Sequence, residues 1–211
     1  MLAKVYSGAV FGVDAYEIEI EVNAGHGEPK VVVVGLPDAA VKESSDRVWT
    51  ALINSGFSPP MGRTTVNLAP ADIKKEGPSF DLPIALGMLA SEDQMDGARL
   101  ADYCVTGELA LSGEVRRVRG VLPIALRARA EGRKGILVPP ENAEEAAVVE
   151  GLAVHPVANL REAADFIEGK KAVPPFGVDM QSAFGGGTAY DDDYAEVNSR
   201  QMCKALSCFT P

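Results

Sequence analysis

The densest potential chemistry lies in the segment Asn67–Pro83, which reads Asn-Leu-Ala-Pro-Ala-Asp-Ile-Lys-Lys-Glu-Gly-Pro-Ser-Phe-Asp-Leu-Pro. Its serine, Ser79, stands where a helix is predicted to begin, and such a serine can act in three ways. It can cap the helix by accepting a hydrogen bond from a backbone N–H of the first turn. It can be a nucleophile, in which case the same N–H groups would stabilise the oxyanion formed on the substrate. It can also contact phosphate together with Gly77. On the residues alone, capping is favoured.

A nucleophilic serine needs a base within about 3 Å of its hydroxyl. Lys74 and Lys75 are near Ser79 in sequence, but they belong to the same loop. Neither has an evident apolar neighbourhood that would lower its pKa towards neutrality. His26 and His155 are distant in sequence. Ser79, Lys74 and Lys75 are therefore candidate catalytic residues without an established base.

The sequence predicts no nucleotide-binding site, metal site or cofactor in this chain. It contains no Gly-x-x-x-x-Gly-Lys-Ser/Thr segment, and the glycine run 185–187 is followed by Thr188 without a lysine. Two histidines and three scattered cysteines give neither metal-ligand spacing nor a disulfide framework. Sparse, odd-numbered cysteines are typical of a reducing cytoplasm, where we expect the protein to reside.

The net charge of −10 opposes binding to a phosphate backbone. Between Arg116 and Lys134, however, seven basic residues face a single acid, Glu131. This segment is either a solvated helix face with a hairpin, or a surface for an acidic partner, a neighbouring subunit or DNA. The candidate surface residues are Arg116, Arg117, Arg119, Arg127 and Arg129. No apolar run approaches the roughly 20 residues of a membrane span.

The hydrophobic pattern predicts alternating strands and helices. Residues 3–11 and 14–23 form a hairpin with one wet face, and the four valines 31–34 form a strand buried on both faces. Asp38 caps a helix that ends at Gly56. Further strands are expected near 63–69, 103–106, 114–118, 135–138 and 154–157, and helices near 80–91, 121–131, 141–150 and 160–167. The fold class is α+β, an α/β two-layer arrangement of helices on a sheet.

The composition changes after Gly169, which places a domain boundary near residue 170. Residues 171–197 read as a linker rich in proline, glycine and aspartate. We expect residues 1–170 to fold as one domain and the carboxyl-terminal tail to be disordered.

Several long segments carry a resemblance to one known family: Met1–Ser7, Val33–Ser44, Gly62–Ala85, Gly107–Arg116 and Gly120–Arg129. They resemble the amino-terminal, ChlI-type domain of the magnesium-chelatase-like AAA ATPases of the YifB/ComM type, and the resemblance covers about residues 1–197. It implies a ribosomal protein S5 domain 2-like fold, shared with the proteolytic domain of Lon, in a cytoplasmic bacterial protein.

The same resemblance implies an AAA ATPase domain after this one, which binds ATP and magnesium and forms a hexamer. For some members it implies ATP-dependent DNA processing, as helicases, during natural transformation. Residues 198–211 depart from the family and are expected to be a divergent or truncated start of that domain.

The resemblance to Lon also bears on catalysis. The segment Lys75–Ser79 matches the Lon motif up to its serine, but the position of the Lon lysine falls on Leu122, which cannot accept a proton. The resemblance therefore implies a non-catalytic accessory domain in which Ser79 caps a helix. Two alternatives stay open: a Lon-like serine peptidase that uses Ser79 with Lys74 or Lys75, and a DNA-binding module that uses the five arginines.

Overall fold

The computed structural model describes residues Leu2–Gly177. The chain divides into two units, Met1–Val178 and Asp179–Pro211, and the described residues belong to the first. The strands are β1 (Leu2–Phe11), β2 (Asp14–Ala24), β3 (Lys30–Val34), β4 (Arg63–Ala69), β5 (Tyr103–Val105), β6 (Glu108–Leu109), β7 (Val115–Arg116), β8 (Gly135–Val138) and β9 (Ala153–Pro156). The helices are α1 (Ala39–Asn54), α2 (Asp81–Ser91), α3 (Val121–Ala130), α4 (Ala143–Ala147) and α5 (Leu160–Ile167).

Seven strands form one mixed sheet in the order β3-β4-β2-β1-β5-β8-β9. The predicted hairpin of β1 and β2 is antiparallel from Leu2 opposite Asn23 to Phe11 opposite Asp14. Strand β4 is antiparallel to β2, whereas the remaining pairs of the sheet are parallel. The short strands β6 and β7 form a separate antiparallel hairpin.

Helices pack on both faces of this sheet, because successive side chains of a strand point to opposite faces. In β8, Leu137 joins a core cluster with residues of α1, α2 and α5, whereas Ile136 and Val138 join a second cluster with residues of α3 and α4. The structure is therefore the mixed α+β fold that the sequence predicts.

Helix α2 is buried along its whole length, which agrees with its almost uniformly apolar sequence. Gly87 lets the helix approach the central hairpin closely, since a Cβ at this position would lie 2.6 Å from Cγ2 of Val22. The start of α2, where Ser79 is found, is consequently fixed by the core.

Two predicted elements differ from the structure. The valine run lies in β3, which is half-exposed rather than buried on both faces, because β3 is at the edge of the sheet. The helix predicted over residues 141–150 is shorter: a 3-10 turn, Pro140–Asn142, precedes the five-residue helix α4.

The folded body continues beyond the boundary predicted at residue 170. Val173 is buried in the core, and its carbonyl lies 2.8 Å from Nδ1 of His155. The backbone N–H of Phe176 donates to the carbonyl of Val154 at 2.7 Å. The segment 173–176 is thus fastened to β9. The remainder of the predicted linker and the predicted segment 198–211 lie outside the described residues.

We therefore expect a chain of residues 1–170 to be less stable than one of residues 1–177. Truncation removes the hydrogen bonds of Val173 and Phe176, each contributing about 1 kcal/mol, and the burial of Val173, which contributes about 1.5 kcal/mol. The lost bonds of Lys171 to Asp165 and Glu162 are at the surface and contribute little. Urea denaturation should give a free energy of unfolding about 3 kcal/mol lower for the shorter chain. Phe176→Ala in the longer chain is the comparison: this side chain is 37% exposed, and its loss should lower stability by less than the truncation does. Equal midpoints for the two chains would contradict the expectation.

Candidate functional site

Ser79 lies in a single 3-10 turn, Pro78–Phe80, which leads into α2 at Asp81. Its hydroxyl makes no capping hydrogen bond, so the prediction that Ser79 caps this helix is wrong. The reason is that the first N–H groups of α2 have other acceptors: Asp81 donates to the carbonyl of Pro78 and Leu82 to the carbonyl of Gly107. The carbonyl of Ser79 instead accepts hydrogen bonds from the N–H of Gly107 at 3.0 Å and from the hydroxyl of Thr106 at 3.5 Å.

The start of α2 is held by a buried carboxylate, that of Asp81, which is 0% exposed. It accepts hydrogen bonds from Nε and Nη2 of Arg47 at 2.9 and 3.1 Å, from the hydroxyl of Ser44, and from the N–H of Leu109 at 3.2 Å. A negative charge in the first turn is also favoured by the helix dipole. The hydrogen bond to Asp81 raises the pKa of Arg47 above its ordinary value, although partial burial opposes this.

Asp38 fastens the loop before Ser79 to α1. One carboxylate oxygen caps α1 by accepting the N–H of Val41 at 2.8 Å, and the other accepts the N–H of Gly77 at 3.1 Å. The N–H of Asp38 in turn donates to the carbonyl of Lys75 at 3.0 Å. Gly77 has φ of 81°, a conformation that favours glycine.

A cleft of about 600 Å³ opens beside Ser79. It is lined by Gly8, Ala9 and Val10 of β1, by Asp38, by residues 76–79, by Glu108, by Arg117, Val118 and Arg119, and by Ile124 of α3. Strand β1 and helix α3 approach each other closely at Gly8, where a Cβ would lie 2.8 Å from Cγ2 of Ile124. A serine, three acidic residues and two arginines therefore line one cavity.

The two candidate lysine bases do not line this cleft. Lys74 is exposed, and its Nζ lies 2.6 Å from Oε1 of Glu76, a hydrogen bond that raises the lysine pKa. Lys75 is 0% exposed, and its Nζ donates to the carbonyl of Pro70. Burial lowers the pKa of Lys75, with Asp72 opposing the shift. The expectation that neither lysine has surroundings that depress its pKa is thus wrong for Lys75.

Leu122, at the position of the Lon lysine, does not line the cleft either. It lies in the first turn of α3, where its side chain is 36% exposed. Its backbone N–H donates to Oε1 of Glu145 at 3.0 Å. The side chain has no group that could accept a proton from Ser79.

The basic segment 116–134 is partly neutralised within the protein. Arg116 lies 3.9 Å from Glu108, Arg127 pairs with Glu131, and Arg129 donates to the carbonyl of Glu150 at 3.1 Å. Arg133 binds Glu17 through two nitrogens and lies 3.5 Å above the ring of Tyr6, and Lys134 contacts Asp102 at 2.8 Å.

Arg117 and Arg119 differ from the other arginines of the candidate surface because both line the cleft. Sequence analysis missed the residue that positions them, Asn142. This fully buried side chain accepts the N–H of Val118 at 3.0 Å through Oδ1 and donates through Nδ2 to the carbonyl of Val118 at 2.9 Å. An asparagine in a predicted surface helix gives no sequence signal for such a role.

Other chemistry finds little support within the described residues. No group of three or more histidine, cysteine, aspartate or glutamate side chains between Leu2 and Gly177 could hold a metal ion.

Cys104 is buried, and burial raises the pKa of its thiol to about 12. Cys203 and Cys208 lie outside the part of the chain that the structure describes. No helix between Leu2 and Gly177 is long and apolar enough to cross a bilayer.

The mixed sheet and the serine before α2 define a Lon-protease-like α+β domain. In agreement with this, the chain is 25% identical over 177 residues to Lon protease 2 of Bacillus subtilis, an alignment that covers 75% of this chain and 32% of the relative. A family model described as subunit ChlI of Mg-chelatase matches residues 20–142. The chain belongs to this magnesium-chelatase-like family, as the sequence predicts.

Proteins of the predicted YifB/ComM type are among its curated relatives. The chain is 44% identical over 173 residues to the competence protein ComM of Haemophilus influenzae, and 42% identical over 172 residues to the protein YifB of Escherichia coli. Each alignment covers 82% of this chain and 34% of the relative. The chain thus spans about a third of the length of these proteins.

We expect the Arg47–Asp81 pair to contribute strongly to stability. Arg47→Ala leaves the Asp81 carboxylate buried without its counter-charge, which should lower the free energy of unfolding by about 3 kcal/mol. Chemical denaturation measures the difference. Glu43→Ala is the matched control, since Glu43 contacts the same arginine at 4.0 Å but is exposed, and its loss should change stability by less than about 0.5 kcal/mol. Equal effects of the two substitutions would show that the pair is not critical.

Proposed function

We propose that this chain is a non-catalytic accessory domain of a magnesium-chelatase-like ATPase of the YifB/ComM type. Family membership supports the assignment to an ATPase of this type, and the lining of the cleft supports the non-catalytic role. The observation that carries the proposal is that the cleft places a serine beside carboxylates and arginines but, among its described lining residues, holds no lysine or histidine. A general base contributes about a hundred- to ten-thousand-fold to such a reaction.

The carboxylates of the cleft are poor substitutes for that base. Asp38 accepts two backbone N–H groups, Glu76 pairs with Lys74, and Glu108 faces Arg116. Within the described residues the hydroxyl of Ser79 has no hydrogen-bond partner that could withdraw its proton. These contacts support binding rather than hydrolysis.

The relatives are about three times as long as the aligned segment, so the activity of the whole protein is part of the proposal. In the full-length protein we infer an ATPase domain that binds ATP and magnesium and forms a hexamer, with this domain packed against it or against neighbouring subunits. We also infer action on DNA in the cytoplasm, and one relative is named a competence protein.

DNA binding by this domain itself is the second candidate. Arg117 and Arg119 favour it, because the structure records no intramolecular partner for either guanidinium among the described residues. The net charge of −10 opposes it.

We expect the purified chain to show no serine hydrolase chemistry. A fluorophosphonate probe should label wild type no more than Ser79→Ala, and a fluorogenic peptide mixture should not be turned over. The probe reacts only with an activated hydroxyl, and Ser79 lacks a base. An active serine hydrolase labelled in parallel controls for the reagent. Labelling of wild type that is lost in Ser79→Ala would instead establish a peptidase.

A chimera tests the accessory role. The aligned segment of Haemophilus influenzae ComM is replaced by the corresponding residues of this chain, and transformation frequency is measured in that organism. We expect the Ser79→Ala chimera to transform within about twofold of the unmodified chimera, because the hydroxyl takes no part in chemistry. Arg47→Ala is the comparison, since destabilising the domain should lower both protein level and transformation. Loss of transformation by Ser79→Ala at unchanged protein level would refute the proposal.

A further inference from the structure

The acidic residues that line the Ser79 cleft have partners among the described residues, whereas its two arginines have none there. Each of its three carboxylates has a partner inside the protein: Asp38 holds the N–H groups of Val41 and Gly77, Glu76 lies 2.6 Å from Lys74, and Glu108 lies 3.9 Å from Arg116. Arg117 and Arg119 are both exposed, and neither has a hydrogen bond or ion pair with any residue between Leu2 and Gly177. Two cations of the cleft therefore lack a counter-ion within this range, against one carboxylate, Asp38, whose partners are neutral N–H groups.

The backbone between these two arginines is held by a buried side chain. Asn142 is 0% exposed and bonds both the N–H and the carbonyl of Val118. The side chain of Val118 is itself buried in the core cluster with Ile124. A buried amide thus fixes the backbone at Val118, and Arg117 and Arg119, on either side of it, both line the cleft.

Guanidinium groups bind planar carboxylates and tetrahedral phosphates through paired hydrogen bonds. The three carboxylates of the cleft disfavour a ligand with many negative charges, and so does the net charge of −10. A ligand with one negative group and an otherwise neutral body avoids that repulsion. Gly8, Ala9, Val10 and Ile124 supply an apolar wall for such a body.

We propose that the Ser79 cleft binds the carboxyl terminus of a polypeptide, with Arg117 and Arg119 holding the terminal carboxylate and the wall of β1 and α3 contacting the last side chains. The inference deepens the proposed function and rests on its statement that the cleft binds without cleaving. It assigns the cleft a ligand class, a neutral or apolar peptide end.

Fluorescence anisotropy tests the proposal with four rhodamine-labelled pentapeptides that end in alanine, valine, leucine or phenylalanine. Each peptide is prepared with a free carboxylate and as its amide. We expect saturable binding of at least one free acid and at least about tenfold weaker binding of its amide, because the amide lacks the charge-assisted hydrogen bonds. The double variant Arg117→Gln/Arg119→Gln should weaken binding of the free acid by a similar factor.

Arg63→Gln is the matched control, because Arg63 is exposed and does not line the cleft, and among the described residues its side chain has no recorded partner. It removes one positive charge, against the two that the double variant removes, and should leave peptide affinity unchanged. Equal affinities of acid and amide, equal effects of the cleft and control substitutions, or no binding of any free acid would overturn the proposal. So would displacement of the peptide by an equimolar concentration of inorganic phosphate or single-stranded DNA.

Mass spectrometry of the incubated peptides separates the two proposals. Intact peptide with the expected affinities supports both. Peptide that is bound and then cleaved, with cleavage lost in Ser79→Ala, would refute the non-catalytic function. Intact peptide without binding would refute the carboxylate site alone.

Discussion

A carboxylate buried at the first turn of α2 is the constraint on which the architecture of the cleft depends. Desolvating an ion costs several kcal/mol, so Asp81 is tolerable only while its partners stay in place. Those partners come from α1 and from β6, through Arg47, Ser44 and the N–H of Leu109. The turn that carries Ser79 immediately precedes Asp81, and its position therefore follows from the same interaction.

The second determinant is the way in which the sheet brings remote segments to one end of β1. Strand β1 is central, and its residues Gly8–Val10 meet the Ser79 turn and the segment 117–119 in one cavity. Gly8 permits the close approach of Ile124 in α3. Asp38 joins α1 to the loop before Ser79 through Gly77. The cleft is consequently built from elements that belong to both core clusters, and it can form only when both have folded.

The sequence predicts those features of this structure that depend on local periodicity. The alternation in β2 and the turn at its start suffice for the central hairpin, and Asp38 caps α1 as expected. The valine run in β3 is ambiguous, because four apolar residues look alike in a central strand and in a half-exposed edge strand. Its place at the edge is decided by tertiary contacts. The burial of Lys75 is equally non-local, since its sequence neighbours are polar and its surroundings come from the folded loop.

The site was predicted in part, for the same physical reason. A helix-initiating serine after glycine and proline is visible in sequence, whereas the pairing of Arg47 with Asp81 spans 34 residues and has no local pattern. Likewise, a count of basic residues over 116–134 does not distinguish the arginines that have acidic or carbonyl partners from Arg117 and Arg119, which have none among the described residues. That distinction depends on where acids such as Glu17 and Glu108 lie after folding.

The chemical character of the cleft follows from which cations it contains. A lysine can act as a base when burial lowers its pKa, because it then spends part of its time neutral with a free lone pair. The one buried lysine between Leu2 and Gly177, Lys75, has a lowered pKa, yet its Nζ donates to the carbonyl of Pro70 and the residue does not line the cleft. The cations that do line it are arginines, which stay protonated in proteins and have only donors to offer. Among the described lining residues these arginines are suited to hold an anionic group, and this is why we propose that the cleft binds rather than cleaves.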